Sequence, residues 1–202
     1  MIADQLKSLS LFVARCLSGV KTRWQQGQPD LRQRIFCANH TSHMDAVLLM
    51  ASLPDPLRDR TRPVAAADYW RASGIRRYLT EHVFRTVLIA RDSQELNPLG
   101  PAMQALRQGD SLIFFPEGTR GPGGSLQPLK PGIYCLARAF RDVDIVPTWI
   151  DNAHLVLPKR ARLPLPATCT VNFGAPLRWD GEEDAGAFLA RMRNAMEALT
   201  QR

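Results

Sequence analysis

Short apolar runs alternate with helical patterns through the middle of the chain, and this alternation limits the fold more than any other feature. The apolar and β-branched runs predict strands at Arg34–Ala38, Pro63–Ala67, Thr86–Ala90, Ser111–Phe115, Asp144–Ile150 and Thr168–Phe173. Periodic apolar residues predict helices at Ser42–Ser52, Gly74–His82, Pro98–Gln108, Pro131–Arg141 and Glu182–Gln201. The pattern favours a single α/β domain with a mostly parallel central sheet covered by helices. Ligands bind such sheets at the carboxyl ends of strands, so polar residues that directly follow a strand are candidate site residues.

The first part of the chain predicts an N-terminal amphipathic helix, in a segment over residues 1–30 that precedes the α/β domain at residues 31–202. Its apolar residues recur every three or four positions, at Ile2, Leu6, Leu9, Phe12, Val13, Cys16, Leu17, Val20 and Trp24. This stripe can pack on the domain core or lie in a lipid interface, and the sequence does not separate the two. No stretch of about 20 apolar residues predicts a transmembrane helix, and the start lacks the features of a signal peptide.

Net charge indicates the class of partner, and cysteine spacing indicates the redox environment. The 202-residue chain carries a formal net charge of +7, mostly from arginine, which favours an anionic partner. The basic residues form no run and no surface interleaved with aromatic residues, so we expect no nucleic-acid binding. The four cysteines form no C-x-x-C pair and are predicted to be reduced core residues of a cytoplasmic protein.

The first cluster of chemically useful residues, Asn39–Asp45, follows the Arg34–Ala38 strand. His40 precedes the predicted helix and Asp45 lies in its first turn, so the carboxylate can accept the imidazole Nδ1–H and leave Nε2 free to take a proton. Ser42 and Asp45 also fit a capping box, in which the carboxylate only satisfies backbone donors. A metal site with His43 is disfavoured because the spacing does not match clustered histidine ligands. A structural role for His40 is the remaining alternative.

The second cluster, Phe115–Arg120, follows the Ser111–Phe115 strand. Gly118 permits a tight turn, Thr119 offers a hydroxyl, and Arg120 offers a planar fork of donors for a phosphate. Glu117 can hold Arg120 or accept a substrate hydroxyl, and Lys130 adds a positive charge. The alternative interpretation of this cluster is an ordinary β-turn with a surface ion pair.

In this order the two clusters resemble the motifs of the lysophosphatidate acyltransferase family of glycerolipid acyltransferases. The family pattern N-H-x-x-x-x-D is matched by Asn39, His40 and Asp45, and the pattern F-P-E-G-T-R is matched without change at Phe115–Arg120. A V-P motif is matched by Val146 and Pro147. The segments Leu129–Gly132 and Val171–Leu177 are also similar to the family, so the likeness spans about residues 35–178. The family's G-x-x-F-I-x-R motif is altered, since Arg85 replaces its glycine and Leu88 its phenylalanine, while Ile89 and Arg91 remain.

The resemblance implies transfer of a fatty acyl group from a thioester to the free hydroxyl of a lysophospholipid, chiefly lysophosphatidic acid, to give phosphatidic acid. His40 would be the general base and Asp45 would orient it. The implied acceptor-binding residues are Arg85, Arg91, Glu117, Gly118, Thr119, Arg120 and Lys130. Pro147 would lie on the acyl-donor side. We expect no metal or cofactor, with acyl carrier protein or coenzyme A as the carrier of the co-substrate.

The altered motif leaves another acceptor open, namely a lyso-ornithine lipid or glycerol 3-phosphate. A catalytically silent module that binds anionic lipid is the alternative from a different class, and a thioester hydrolase is a third. The resemblance also implies a peripheral, monotopic protein on the cytoplasmic face of the inner membrane, bound to an anionic membrane surface.

Overall fold

The structure is a computed structural model that describes residues 2–27, 29–70, 74–90, 97–156 and 165–200. Its strands are β1 (Lys21–Trp24), β2 (Arg34–Ala38), β3 (Thr61–Ala66), β4 (Val87–Ile89), β5 (Ser111–Phe114), β6 (Asp144–Asp151) and β7 (Thr170–Phe173). Its α-helices are α1 (Ile2–Ser18), α2 (Asp45–Ser52), α3 (Asp55–Asp59), α4 (Ala67–Trp70), α5 (Gly74–Tyr78), α6 (Gly100–Arg107), α7 (Gly132–Ala139), α8 (Ala153–Val156) and α9 (Ala185–Glu197). A π-helical turn, Leu79–Val83, continues α5.

The strands form one sheet in the order β1-β7-β6-β2-β5-β3-β4. All neighbours pair in parallel except β6 and β7, which are antiparallel. The predicted α/β domain with a mostly parallel sheet is therefore confirmed. β2 lies at the centre, between β6 and β5.

Side chains on β2 alternate between two apolar layers, because successive residues of a strand point to opposite faces. Ile35 and Cys37 lie in the layer covered by α6, α7 and α9. Phe36 and Ala38 lie in the layer covered by α1, α2 and α8. Because both faces of the strand are buried, its sequence is an uninterrupted apolar run.

The N-terminal helix is shorter than predicted. It ends at Ser18, and the chain then enters β1, which pairs in parallel with β7. Trp24 belongs to this strand, and its ring stacks on Phe173 with centroids 3.7 Å apart. The prediction of a helical pattern through Trp24 is wrong, because these residues form an edge of the sheet.

The predicted apolar stripe of α1 faces away from the domain. The helix packs on α2 through Leu11, Ala14 and Ser18, which are buried. Four stripe residues are largely exposed: Ile2 at 65%, Leu9 at 57%, Phe12 at 63% and Val13 at 42%. Among the described residues no helix is both long and apolar enough to cross a membrane.

The basic side chains of α1 join it to the domain. The Arg15 guanidinium donates twice to the carbonyl oxygen of Ala51, near the end of α2, at 3.1 and 2.7 Å. Lys7 pairs with Asp59 at 3.2 Å. These contacts fix the orientation in which the apolar stripe is exposed.

The cysteine prediction holds only in part. All four cysteines are free, and Cys37 and Cys169 are buried as expected. Cys16 and Cys135 are exposed and do not belong to the core.

Candidate active site

An asparagine clamp fixes the chain where β2 ends. The buried Asn39 side chain donates to the carbonyl oxygen of Ile150 at 3.1 Å and accepts the Ile150 N–H at 2.7 Å. The side-chain amide thus makes the two hydrogen bonds with β6 that a neighbouring backbone would otherwise make. The next residue, His40, leaves the sheet at its carboxyl edge.

His40 and Asp45 form the predicted pair. Nδ1 of His40 lies 2.7 Å from Oδ2 of Asp45, and the Asp45 side chain has no exposed surface. Because a carboxylate only accepts hydrogen bonds, Nδ1 carries the proton and Nε2 carries a lone pair. The Phe115 ring stacks on the imidazole with centroids 4.3 Å apart and restricts its tilt.

The same carboxylate oxygen also binds the loop that precedes α2. Oδ2 of Asp45 accepts the backbone N–H groups of Thr41 at 2.6 Å and Ser42 at 2.8 Å. The bond from Ser42 matches one half of the predicted capping box, but α2 itself begins after Met44 without a side-chain cap. These bonds hold His40 and Asp45 on one turn.

Glu117 contacts His40 through the backbone. One carboxylate oxygen accepts the His40 N–H at 2.6 Å and the other accepts the Gln127 N–H at 2.9 Å. Burial raises the pKa of the Glu117 carboxyl above its ordinary value, while hydrogen bonds from the Gln127 and His40 N–H groups partly oppose the shift. The side chain is only 3% exposed. Both carboxylate oxygens therefore hold backbone donors, and the predicted contact of Glu117 with the acceptor stays a prediction.

The Pro116–Arg120 turn brings two basic residues to the same place. Gly118 has φ of +67°, and a Cβ there would lie 2.9 Å from Cε of Lys130. The lysine side chain therefore crosses the glycine, and its backbone N–H donates to the carbonyl oxygen of Pro116 at 2.8 Å. Beyond the turn, Nη1 of Arg120 donates to Nε2 of His43.

A cavity of about 540 Å³ opens beside this turn. The predicted residues His40, Gly118, Thr119, Arg120 and Lys130 all line it. The rest of its wall is mainly apolar, with contributions from Pro63–Ala66, Phe84, Ile89, Leu99 and Phe114. The cavity thus brings an imidazole and two cations into one mainly apolar space.

Two other predicted site residues, Arg85 and Pro147, do not line the cavity. Arg85 is exposed and does not line it, and its backbone adopts a left-handed φ of 49° while its carbonyl oxygen accepts from Nε of Arg62. Pro147 is buried within β6 opposite Cys37 and does not line it either. Arg91 lies outside the described residues.

Two further residues at the cavity had no assigned role. His43 was considered only as a metal ligand, yet its ring contacts Arg120. No group of three metal-binding side chains occurs in the described part of the chain. Cys135 lines the cavity from α7. The only sequence signal for His43 is its place in the turn after a strand.

Comparisons with known proteins agree with this geometry. The model of the family described as acyltransferase matches residues 20–151. The chain is 28% identical to the 1-acyl-sn-glycerol-3-phosphate acyltransferase alpha of Mus musculus, over 96% of this chain and 69% of that protein. It is 29% identical to the 1-acyl-sn-glycerol-3-phosphate acyltransferase of Cocos nucifera, over 74% of this chain but only 47% of that protein.

The fold also matches a solved structure. The crystal structure of the 1-acyl-sn-glycerophosphate acyltransferase PlsC from Thermotoga maritima superposes with a TM-score of 0.74, at 21% identity. The match covers all of this chain and 80% of that one. A likeness at this identity establishes the shared fold, and the family match extends over more than half of the chain. The chain belongs to the acyltransferase family.

Proposed function

We propose that this protein transfers a fatty acyl group from a thioester donor to the free hydroxyl of lysophosphatidic acid, giving phosphatidic acid. One observation carries the proposal: His40, with its tautomer fixed by Asp45, lines the same cavity as Arg120 and Lys130. A base and a phosphate-binding pair in one cavity are what a phosphorylated alcohol requires. The names of the relatives agree with this acceptor.

The reaction proceeds by direct transfer. Nε2 of His40 removes the proton of the acceptor hydroxyl while that oxygen attacks the thioester carbonyl. The carbon–sulfur bond then breaks, and the thiolate leaves with the proton that the imidazolium returns. General base catalysis of this kind contributes about 10²–10⁴ in rate. Holding the hydroxyl against the carbonyl contributes at least as much.

The acceptor phosphate binds Arg120 and Lys130, and Gly118 and Thr119 shape the turn beside it. The apolar part of the cavity, which includes Phe84, Ile89 and Leu99, takes an acyl chain. Asp45 and Glu117 act behind His40, because neither side chain lines the cavity. The acyl carrier is acyl carrier protein or coenzyme A, and no cofactor takes part.

The protein works at a membrane surface, on the cytoplasmic face of the inner membrane. The outward apolar face of α1, formed by Ile2, Leu9, Phe12 and Val13, supports this placement. The net charge of +7 favours an anionic lipid surface. A peripheral position suits an enzyme whose acceptor and product are both lipids.

The test is an assay of the purified protein with acyl-coenzyme A or acyl-carrier protein and a panel of acceptors, with products identified by mass spectrometry. The panel contains lysophosphatidic acid, glycerol 3-phosphate and a lyso-ornithine lipid. We expect phosphatidic acid from lysophosphatidic acid, unchanged by EDTA, and its loss in the His40→Ala variant with the fold retained.

Other outcomes would overturn the proposal in distinct ways. Acylation of glycerol 3-phosphate or the lyso-ornithine lipid alone would assign a different acceptor. Free fatty acid formed without an acceptor would indicate a thioester hydrolase. Liposome binding without any thioester-dependent product would indicate a lipid-binding module.

A further inference from the structure

His43 and Arg120 meet at the wall of the cavity. Nη1 of Arg120 donates to Nε2 of His43, and both side chains line the cavity and are half-buried. His43 lies on the turn that the Asp45 carboxylate caps, and Arg120 lies at the end of the Pro116–Arg120 turn. The contact therefore joins the two motifs on the cavity side, while the bond from His40 N–H to Glu117 joins them behind it.

The direction of this bond follows from the chemistry of the two groups. A guanidinium has five N–H donors, no acceptor, and a permanent charge. Nε2 of His43 must therefore supply the lone pair. Because both side chains line the cavity, this bond holds the guanidinium at the cavity wall.

We infer that His43 is a positioning residue that holds the Arg120 guanidinium ready for the acceptor phosphate and so favours phosphorylated acceptors over neutral ones. A free arginine side chain has rotamer entropy to lose when it is ordered. Because His43 orders Arg120 before the ligand arrives, less of this cost falls on binding. The inference rests on the proposed function only in that the acceptor carries a phosphate.

Two substitutions distinguish the role of the hydrogen-bond-accepting atom of His43 from the role of its side-chain volume. His43→Leu replaces the imidazole with an apolar side chain of similar size and so removes the lone pair. His43→Gln keeps an acceptor, because Oε1 of glutamine reaches about as far as Nε2 of histidine. His82→Leu is the matched control, since His82 is exposed and does not line the cavity.

The assay compares lysophosphatidic acid with monoacylglycerol, which lacks the phosphate, at saturating donor. His43→Leu should raise the KM for lysophosphatidic acid about five- to tenfold, less than the loss of Arg120 itself, because the cost of ordering one side chain is then added to binding. Its kcat, its donor KM and its activity on monoacylglycerol should change little. His43→Gln should restore the lysophosphatidic acid KM to within about threefold of the wild-type value, and His82→Leu should match the wild type.

An unchanged KM for lysophosphatidic acid in His43→Leu would overturn the inference. An equal rise of that KM in His43→Leu and His43→Gln would also overturn it. Should the wild-type protein acylate no lysophospholipid, the proposed function fails but the inference can still be tested. Calorimetric titration with inorganic phosphate would then compare the wild type with His43→Leu. Equal affinity of the two proteins for phosphate would contradict the role of His43.

Discussion

The backbone N–H of His40 donates to Oε1 of Glu117 at 2.6 Å, and Gly121 N–H in turn donates to the His40 carbonyl oxygen at 2.8 Å. Both backbone groups of the histidine are thus held by the segment that follows β5. His40 and the Pro116–Arg120 turn are a single hydrogen-bonded unit. A shift of one would move the other.

Glu117→Gln should therefore reduce kcat and leave the acceptor KM nearly unchanged. The amide has one accepting oxygen, so one of the two backbone donors, from His40 or Gln127, loses its partner. We expect a loss of roughly ten- to a hundredfold in kcat from the displaced base. Steady-state kinetics with varied acceptor measures both constants. A raised KM with a normal kcat would show instead that Glu117 contacts the acceptor.

Glu117 also predicts how stability depends on pH. Burial raises the pKa of this carboxyl in the folded state above its unfolded value, so the folded state binds more protons between the two. Its contribution to stability is full below the unfolded pKa and is lost as the pH rises through the folded pKa. The Tm of the wild type relative to Glu117→Gln should therefore rise as the pH falls from 7 toward 4.5. Parallel Tm curves for the two proteins would contradict the shift.

Asp45→Asn should lower both turnover and stability, because one oxygen serves His40, Thr41 and Ser42. The amide oxygen can take the place of Oδ2 in these bonds, but a neutral amide accepts more weakly and no longer stabilises the imidazolium that forms when His40 takes a proton. We expect a kcat loss of about 10²-fold or more and a loss of about 1–2 kcal/mol in unfolding free energy. Denaturant unfolding and kinetics measure the two separately. A stable variant with normal turnover would leave Asp45 no role beyond packing.

Arg120 and Arg85 offer a matched pair, since both were predicted to bind the acceptor and only Arg120 lines the cavity. Arg120→Ala should raise the acceptor KM by roughly ten- to a hundredfold, the usual effect of losing a charge-assisted hydrogen bond. Arg85→Ala should leave it within about twofold of the wild type, as is usual for an exposed charge away from a site. The donor KM should change little in both. Equal effects of the two substitutions would show that Arg85 reaches the acceptor.

The parts of the fold that follow from local sequence were predicted well. β2 matches its predicted bounds, because burial on both faces makes the residues after Arg34, Ile35–Ala38, a continuous apolar run. β1 was missed because Lys21–Trp24 is an exposed edge strand whose apolar residue continues the spacing of α1. The π-helical turn at Leu79–Val83 was predicted as ordinary helix, since the sequence pattern does not distinguish the two.

The contacts of the candidate site can also be divided into those that follow from local sequence and those that depend on the fold. His40 and Asp45 lie five positions apart across one turn, so their contact follows from local geometry. The partner of Glu117 is 77 positions away, and only the neighbouring arrangement of β2 and β5 determines that the carboxylate faces the His40 N–H. The left-handed backbone at Arg85 likewise has no signal in the residue itself.

Two adjacent residues of α1 differ in their exposure to solvent. Leu11 is 4% exposed and packs in the core, whereas Phe12 is 63% exposed on the outward apolar face. If that face enters a lipid interface, Phe12→Ser should weaken binding to vesicles containing phosphatidylglycerol. Full burial of such a side chain is worth about 1.5–3 kcal/mol, or roughly ten- to a hundredfold in partitioning. Leu11→Ala should instead lower the unfolding free energy by about 2–5 kcal/mol, because it leaves a cavity in the core.

Vesicle sedimentation and thermal unfolding on the same three proteins separate the two effects. Phe12→Ser should keep the wild-type Tm, because serine at an exposed helix position leaves the packed face of α1 unchanged. Leu11→Ala should have a lower Tm but, below it, bind vesicles as the wild type does, because Leu9, Phe12 and Val13 remain on the surface. Normal vesicle binding by Phe12→Ser, together with a fall in its Tm, would mean that this face packs against protein. The docking proposal for α1 would then have to be withdrawn, while the mechanism at His40 would stand.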